Sequence, residues 1–337
     1  MEYKVTEIPK EALDIQEYEN LPGKSIFTTT GWLDFIAEDS KVKPLFLRIT
    51  RDGELVAYFT AMIQKSYGFR IIASPFAGWS TCYMGFDLAD ASVNKLDLIP
   101  CVSDYLFRVK KAHLIEIVDR DITVDAAREW GYRTAVSDTL ELRIDRTDEE
   151  LFKVFKMDCR NFIRQFERRG AVLEIAEADD TFARQYYAQL QDVFAKQGLV
   201  PTYSLEKVKC LLRHLRQAGN VLCLRVNDPE GNCIATSIFP GYNGKFFFWG
   251  GASYRSGQHY RPNEYMLWTA IRYWRDKGFT MFDMVGVRDY KRKFGSYEVQ
   301  YAHISLARSN VIFWLRNMAK KAFFFMLKVK GKLLKRK

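Results

Sequence analysis

The chain has 337 residues, is 48% hydrophobic and carries 25 Phe, 18 Tyr and 7 Trp, which is enough apolar mass for two ordinary cores and excludes a disordered chain. No run of about 18 apolar residues occurs, and Met1-Glu2-Tyr3-Lys4 opens the chain without an apolar leader, so neither a membrane span nor a signal peptide is expected. The net charge is +10. It sits at one end: after Glu298 there is no acidic residue, while Arg308, Arg316, Lys320, Lys321, Lys328, Lys330, Lys332, Lys335, Arg336 and Lys337 follow. The body is charge-balanced, which argues against a uniformly basic nucleic-acid-binding surface. Cys82, Cys101, Cys159, Cys210, Cys223 and Cys233 form no C-x-x-C pair. Reduced, mostly buried thiols and a cytoplasmic setting follow.

In chain order, residues 45–74 read as a hairpin set of three apolar strands, with turns at Gly53 and Gly68. Leu96, Leu98, Val102, Leu106 and Val109 give residues 93–111 helical spacing, and strands follow at 113–118 and 140–144. Thr147 with Glu150 three residues on is a capping box, opening a helix expected to run to Gly170. Further helices are expected at 180–196 and 204–217. Then the first pattern returns. Residues 222–253 repeat the L-x-L-R opening, the Gly turns (Gly231, Gly244) and the Ala four residues after the first. A helix at 263–277 and strands at 279–284 and 299–306 complete it. Strands, helix, strand, strand occur twice, which predicts two similar α/β halves.

Four segments carry a more specific likeness: GWLDFIAEDS at 31–40, CRNFIRQFERRGAVLEI at 159–175, FFFWGGASY at 246–254 with PNEYMLWTAIRYWRDKGFTMFDM at 262–284, and YKRKFGSYEVQY at 290–301. Together they resemble the Fem (FemABX) aminoacyltransferases and their GNAT-like relatives, over roughly residues 25–306. The resemblance implies two tandem GNAT-like domains of α/β (α+β) class, each a mixed, mostly antiparallel sheet flanked by helices. The first half would span 1–145, with 307–337 returning to it as a basic amphipathic helix, and the second 146–306. It implies transfer of an acyl or aminoacyl group to an amine. Lys291 stands at the family's Phe-Lys position, where the lysine is held to act on the donor or its developing negative charge. Two departures stand out. Asp283 is followed by Met284-Val285-Gly286 where the family often has paired glycines, and the basic Gly-x-Gly or Gly-x-Ala pyrophosphate loop of GNAT enzymes is absent, Arg255-Ser256-Gly257 standing in its place.

Amine acylation needs a held carbonyl and positive charge where the oxyanion develops, and no side-chain nucleophile. No G-x-S-x-G elbow is present, and His113, His214, His259 and His303 share no motif. Lys291 and Asp283 are the candidate catalytic residues: a cation for the oxyanion or donor, and a strand-end carboxylate to assist the amine. Trp249, Gly250, Gly251 and Tyr254 are candidates for substrate contact through an aromatic face and open backbone. Arg160 and Arg164, one helical turn apart, and Lys293 are candidates for phosphate contact. Glu264 reads as a helix-start carboxylate.

The leading expectation is N-acylation of a sugar or cell-envelope precursor by direct attack in a ternary complex, without a covalent enzyme intermediate, acyl-CoA being the candidate donor and no metal taking part. The alternative is tRNA-dependent aminoacyl transfer to a peptidoglycan precursor. A non-catalytic binding protein of the same fold is a third reading. Val311, Leu315, Met318, Ala322 and Met326 lie along one face of a basic amphipathic stretch, and Phe323-Phe324-Phe325 adds to it, so residues 311–337 are expected to meet an anionic membrane surface.

Overall fold

The structure is a computed structural model that describes residues 2–66, 68–76, 78–316 and 318. The chain folds into two compact units. Among the described residues, the first comprises 2–137 and 300–318, and the second Asp138–Val299.

In the first unit, β1 (Tyr3–Ile8), helices α1 (Ile15–Glu19) and α2 (Thr30–Ser40), and strands β2 (Lys43–Arg51), β3 (Glu54–Ser66), β4 (Phe69–Ser74) and β5 (Phe86–Leu88) come first. They lead to α3 (Lys95–Arg108), β6 (Leu114–Asp119), α4 (Val124–Glu129) and the start of β7 (Arg133–Arg143). The expected hairpin set is β2-β3-β4, joined antiparallel through Gly53 at φ 91° and closed with Arg51 opposite Glu54. After it, α3 crosses over and β6 lies parallel to β4. Leu96, Ile99, Val102 and Leu106 put one face of α3 into a core with Leu47, Phe59, Ile72, Ile115 and Ile117.

The second unit takes residues 138–143 of β7, then α5 (Asp148–Val154), α6 (Met157–Arg168), β8 (Val172–Ala176), α7 (Asp180–Ala195), α8 (Leu205–Arg216), β9 (Val221–Asn227) and β10 (Cys233–Tyr242). There follow β11 (Lys245–Phe247), β12 (Gly250–Ser253), α9 (Pro262–Asp276), β13 (Met281–Asp283), the short α10 (Asp289–Arg292) and the start of β14 (Tyr297–Ala307). Its sheet runs β8-β9-β10-β11-β13-β7, with β12 also on β10. Again a helix, α9, carries the chain between parallel strands, β11 and β13. The capping box at Thr147 forms as expected. The helix it opens does not reach Gly170: it breaks at Phe155 and Lys156, both extended. There the Phe155 ring is buried against Trp268 and Phe294, and Lys156 N–H donates to Lys293 O at 2.8 Å. Ring burial and a new backbone partner outweigh helix propensity at that point.

One feature departs from sequence order. The strand expected to end the first half, near 140–144, pairs with β13 of the second unit, Leu142 opposite Phe282. The strand expected to end the second half, near 299–306, pairs with β6 of the first unit, Ile304 opposite Ile117. The division between units accordingly falls inside β7 and β14, where the sequence placed it at 145 and 306. The segment expected to be a basic amphipathic helix is helical at 310–316 and at Met318; its continuation from 319 lies outside the described residues.

Candidate active site

The site grows from the end of β13. Met281-Phe282-Asp283 is a buried strand whose aromatic stacks on Phe246 of β11 at 4.2 Å, so Asp283 is carried to a fixed place at the strand terminus. The carboxylate is fully buried. Its Oδ1 accepts from the Thr139 hydroxyl at 2.5 Å and from the Val285 N–H at 2.9 Å. Burial pushes this carboxyl up from its ordinary pKa, while the Thr139 and Val285 hydrogen bonds pull it down.

The turn that follows is strained. Val285 has φ 56°, in the left-handed region that a β-branched residue rarely adopts. Here stands the residue that takes the place of a family glycine, and the surroundings hold it there. Asp283 takes its N–H, Thr139 Oγ1 accepts from Gly286 N–H at 3.3 Å, and Lys291 folds back from α10 over the turn. The Lys291 ammonium is buried and donates to the carbonyls of Met284 and Val285 at 2.6 Å each and of Gly286 at 3.4 Å. It also lies 5.5 Å from the Phe248 ring and 5.7 Å from that of Tyr290. Strain over-determined in this way is a mark of functional turns. Asp283 and Lys291, expected separately from the sequence, are thus joined through one turn. Thr139, which completes it, carried no sequence signal of its own, and Val285 stood out in the sequence only as a departure from the family's paired glycines.

A second group surrounds the join between β11 and β12. The register on β10 shifts by one residue between Phe246 and Gly250. In the gap Phe248 N–H turns to Asp283 O at 3.0 Å and Trp249 N–H to Ile238 O at 3.2 Å. The Trp249 ring lies 5.2 Å from Tyr203 and 6.3 Å from Tyr186, whose hydroxyls bond at 2.6 Å. Its indole N–H is buried with no acceptor among the described residues. The glycines answer mainly to packing: a Cβ on Gly250 would stand 2.2 Å from the Tyr186 hydroxyl, and one on Gly251 would stand 2.9 Å from Phe248 and from Ser237. Tyr254 is half-buried and precedes the 3-10 turn Arg255–Tyr260.

The third group lies on α6 and the head of α9. Cys159, Ile163 and Phe166 are the buried face of α6, leaving Arg160 half-buried and Arg164 exposed, neither with an ion-pair partner among the described residues. Lys293 pairs with Glu264 in the first turn of α9, a contact that uses the helix-start carboxylate expected there. Lys293 Nζ lies 5.2 Å and the Arg261 guanidinium 4.2 Å from the Phe162 ring, and Arg261 Nε is buried without a partner among the described residues. Arg261 escaped the sequence reading because only tertiary packing sets it beside α6.

This geometry bears on acyl-CoA, the donor that the fold family implies. A pyrophosphate would sit on free N–H groups at the head of α9. Gly257 N–H is already bonded to Tyr254 O and Arg261 N–H to Gln258 O, and Pro262 has none. Gly257 is closely packed, its Cβ position 2.7 Å from Ile234, and Glu264 places a carboxylate in the first turn. That leaves the first-turn N–H groups from Asn263 on, beside the Glu264 carboxylate and without open glycines before them, a poor fit to a pyrophosphate.

The acetyltransferase (GNAT) domain family model matches residues 153–292, a segment that holds the three groups except for Thr139 and Lys293. Over nearly its whole length the chain has the fold of a crystal structure of FemX, with a TM-score of 0.74 at 16% identity, covering 94% of this chain and 99% of that one. A tandem GNAT protein from the clavulanic acid biosynthesis pathway superposes at a TM-score of 0.53, 8% identity and 91% and 99% coverage. The chain is therefore a GNAT-fold acyltransferase. In sequence it is 20% identical to the lipid II:glycine glycyltransferase of Staphylococcus aureus (strain MRSA252) over 351 residues, covering 79% of this chain and 80% of that protein. Within the acyltransferases its likeness, in sequence and in fold, is to the FemABX type.

Proposed function

We propose that the chain transfers an aminoacyl group from aminoacyl-tRNA to an amino group of a peptidoglycan precursor. The amine attacks the ester carbonyl directly. A C–N bond forms, the C–O bond to the ribose breaks, and the ribose hydroxyl leaves with the proton that the amine gives up. The observation that supports this choice of donor is the head of α9, where Gly257 and Arg261 N–H are already bonded and Glu264 sets a carboxylate against a CoA pyrophosphate. The likeness to a lipid II:glycine glycyltransferase favours the same reading over the sugar-amine acylation expected from the sequence.

In this reading Lys291 supplies the positive charge beside which the oxyanion develops, fixed before the reaction by the carbonyls it holds. Asp283 is fully buried, so it acts as a positioning residue for the Val285-Gly286 turn and does not itself touch the amine. The unpaired indole N–H of Trp249 is the donor for a substrate oxygen, with Gly250, Gly251 and Tyr254 shaping its surroundings. While Lys293 is held by Glu264, Arg160, Arg164 and Arg261 present cations to phosphates, which makes binding of tRNA fall steeply with salt.

The test is a transfer assay with lipid II as acceptor and two donor sets in parallel, tRNA charged with labelled amino acids and labelled acyl-CoAs. Label should reach lipid II from charged tRNA alone. Transfer from acyl-CoA, with none from tRNA, would overturn the reading.

A further inference from the structure

The helix at 310–316 holds to the first unit by one side only. Phe313 is buried under the Arg133 guanidinium, 4.1 Å from its ring. Arg316 pairs with the buried Glu116, and Arg308, just before the helix, donates to Phe107 O at 2.9 Å. The opposite side carries Val311, Trp314, Leu315 and Met318, at 62%, 60%, 39% and 51% exposure. At about 100° per residue these four fall within an arc of about 100°, centred opposite Phe313 and Arg316. Large apolar side chains at that spacing do not stay in water without a function, and a Trp among them suits a boundary between apolar and aqueous phases. The chemistry of the occupant comes from the charge. From Val299 on, the sequence holds ten basic residues and no acidic one, whereas the rest is balanced. An apolar stripe in a purely cationic segment matches a surface that is apolar beneath and anionic on top.

We propose that this face, Val311-Trp314-Leu315-Met318, docks on a bilayer containing anionic lipid, with Phe313 and Arg316 fixing the first unit to the docked helix. The inference stands on the helix alone and does not depend on which donor the enzyme uses.

The experiment uses the full chain with phosphatidylcholine vesicles prepared with and without phosphatidylglycerol. The protein should co-sediment with the anionic vesicles. The double substitution Trp314→Ser/Met318→Ser should weaken that partitioning by at least about tenfold while leaving thermal unfolding unchanged, because both side chains are exposed. Vesicle-induced blue shift of tryptophan fluorescence should be present in the parent and reduced in Trp314→Phe. Equal partitioning of the parent and the double variant would overturn the proposal, since basic residues alone would then account for binding. So would a double variant that loses retention of bulk tRNA but keeps vesicle binding, since the face would then meet nucleic acid.

Discussion

Replacing Lys291 by Met tests the strained turn most directly. The thioether keeps most of the stem's volume and removes the ammonium that three carbonyls share. Two of those bonds are short. Leaving a buried carbonyl without its donor costs about 1–3 kcal/mol each. Relief from burying a charge returns part of this, so the net loss of folding stability should be about 2–4 kcal/mol. The turn would then lose its clamp, and Val285 would be free to leave the left-handed region. Turnover should fall at least about a hundredfold, the scale on which loss of a preorganised oxyanion partner is felt. Chemical denaturation and single-turnover transfer from charged tRNA, made on the same preparation below its unfolding midpoint, separate the two effects. Lys291→Arg is the companion variant: it keeps the charge, but a planar guanidinium cannot point three donors at three convergent carbonyls, so it should recover rate more than stability. Turnover within about threefold of the parent in folded Lys291→Met would refute the role given to this charge.

Val285→Gly removes a left-handed β-branched residue; relief of about 1–2 kcal/mol, less the chain entropy of glycine, should leave the protein about 0.5–1 kcal/mol more stable by denaturation, and a loss of stability would show that the strain is not there. Gly250→Ala places a methyl 2.2 Å from the Tyr186 hydroxyl and should cost about 1–3 kcal/mol, with Tyr186→Phe in the same chain recovering at least half; no recovery would separate the glycine from that contact. For Glu116, burial raises the carboxyl pKa, but His303 and Arg316 outweigh it and the net shift is downward. A depressed folded pKa means that its contribution is complete above the unfolded value of about 4.3 and is lost as pH falls through the folded one. Protection factors at 310–316, taken relative to the intrinsic exchange rate at each pH, should therefore fall on acidification through that range, and Glu116→Gln should flatten the dependence; an unchanged profile in Glu116→Gln would rule out this pair as the clasp.

On the proposed function, an enzyme that docks by one helix face would meet a lipid-linked acceptor in two dimensions. The charge distribution already separates the two tasks, with balanced charge on the body and the cationic excess in the segment from Val299 on.

Much of the framework was legible from local pattern. The hairpins at 45–74 and 222–253, the crossover helices, the capping box at Thr147 and the strand-end place of Asp283 all rest on periodicity, turn residues and side chains a few positions apart. Lys291 and Asp283 could likewise be chosen as a cation and an acid near one strand end. What local pattern could not contain is partner choice. Nothing in 140–144 or 299–306 says which β-strand each will join, because the hydrogen-bonding edge of a strand is the same for every partner, and burial decides. The structure gives the first strand to β13 and the second to β6. The same holds at the site. Val285 reads as an ordinary apolar residue, and becomes the strained centre of the turn only because Asp283, Thr139 and Lys291, 144 and 8 residues apart along the chain for the nearest pairs to Asp283, converge on it in space. Sequence determined the elements and the chemistry available to them. Tertiary packing decided which elements meet, and so which of those groups act together.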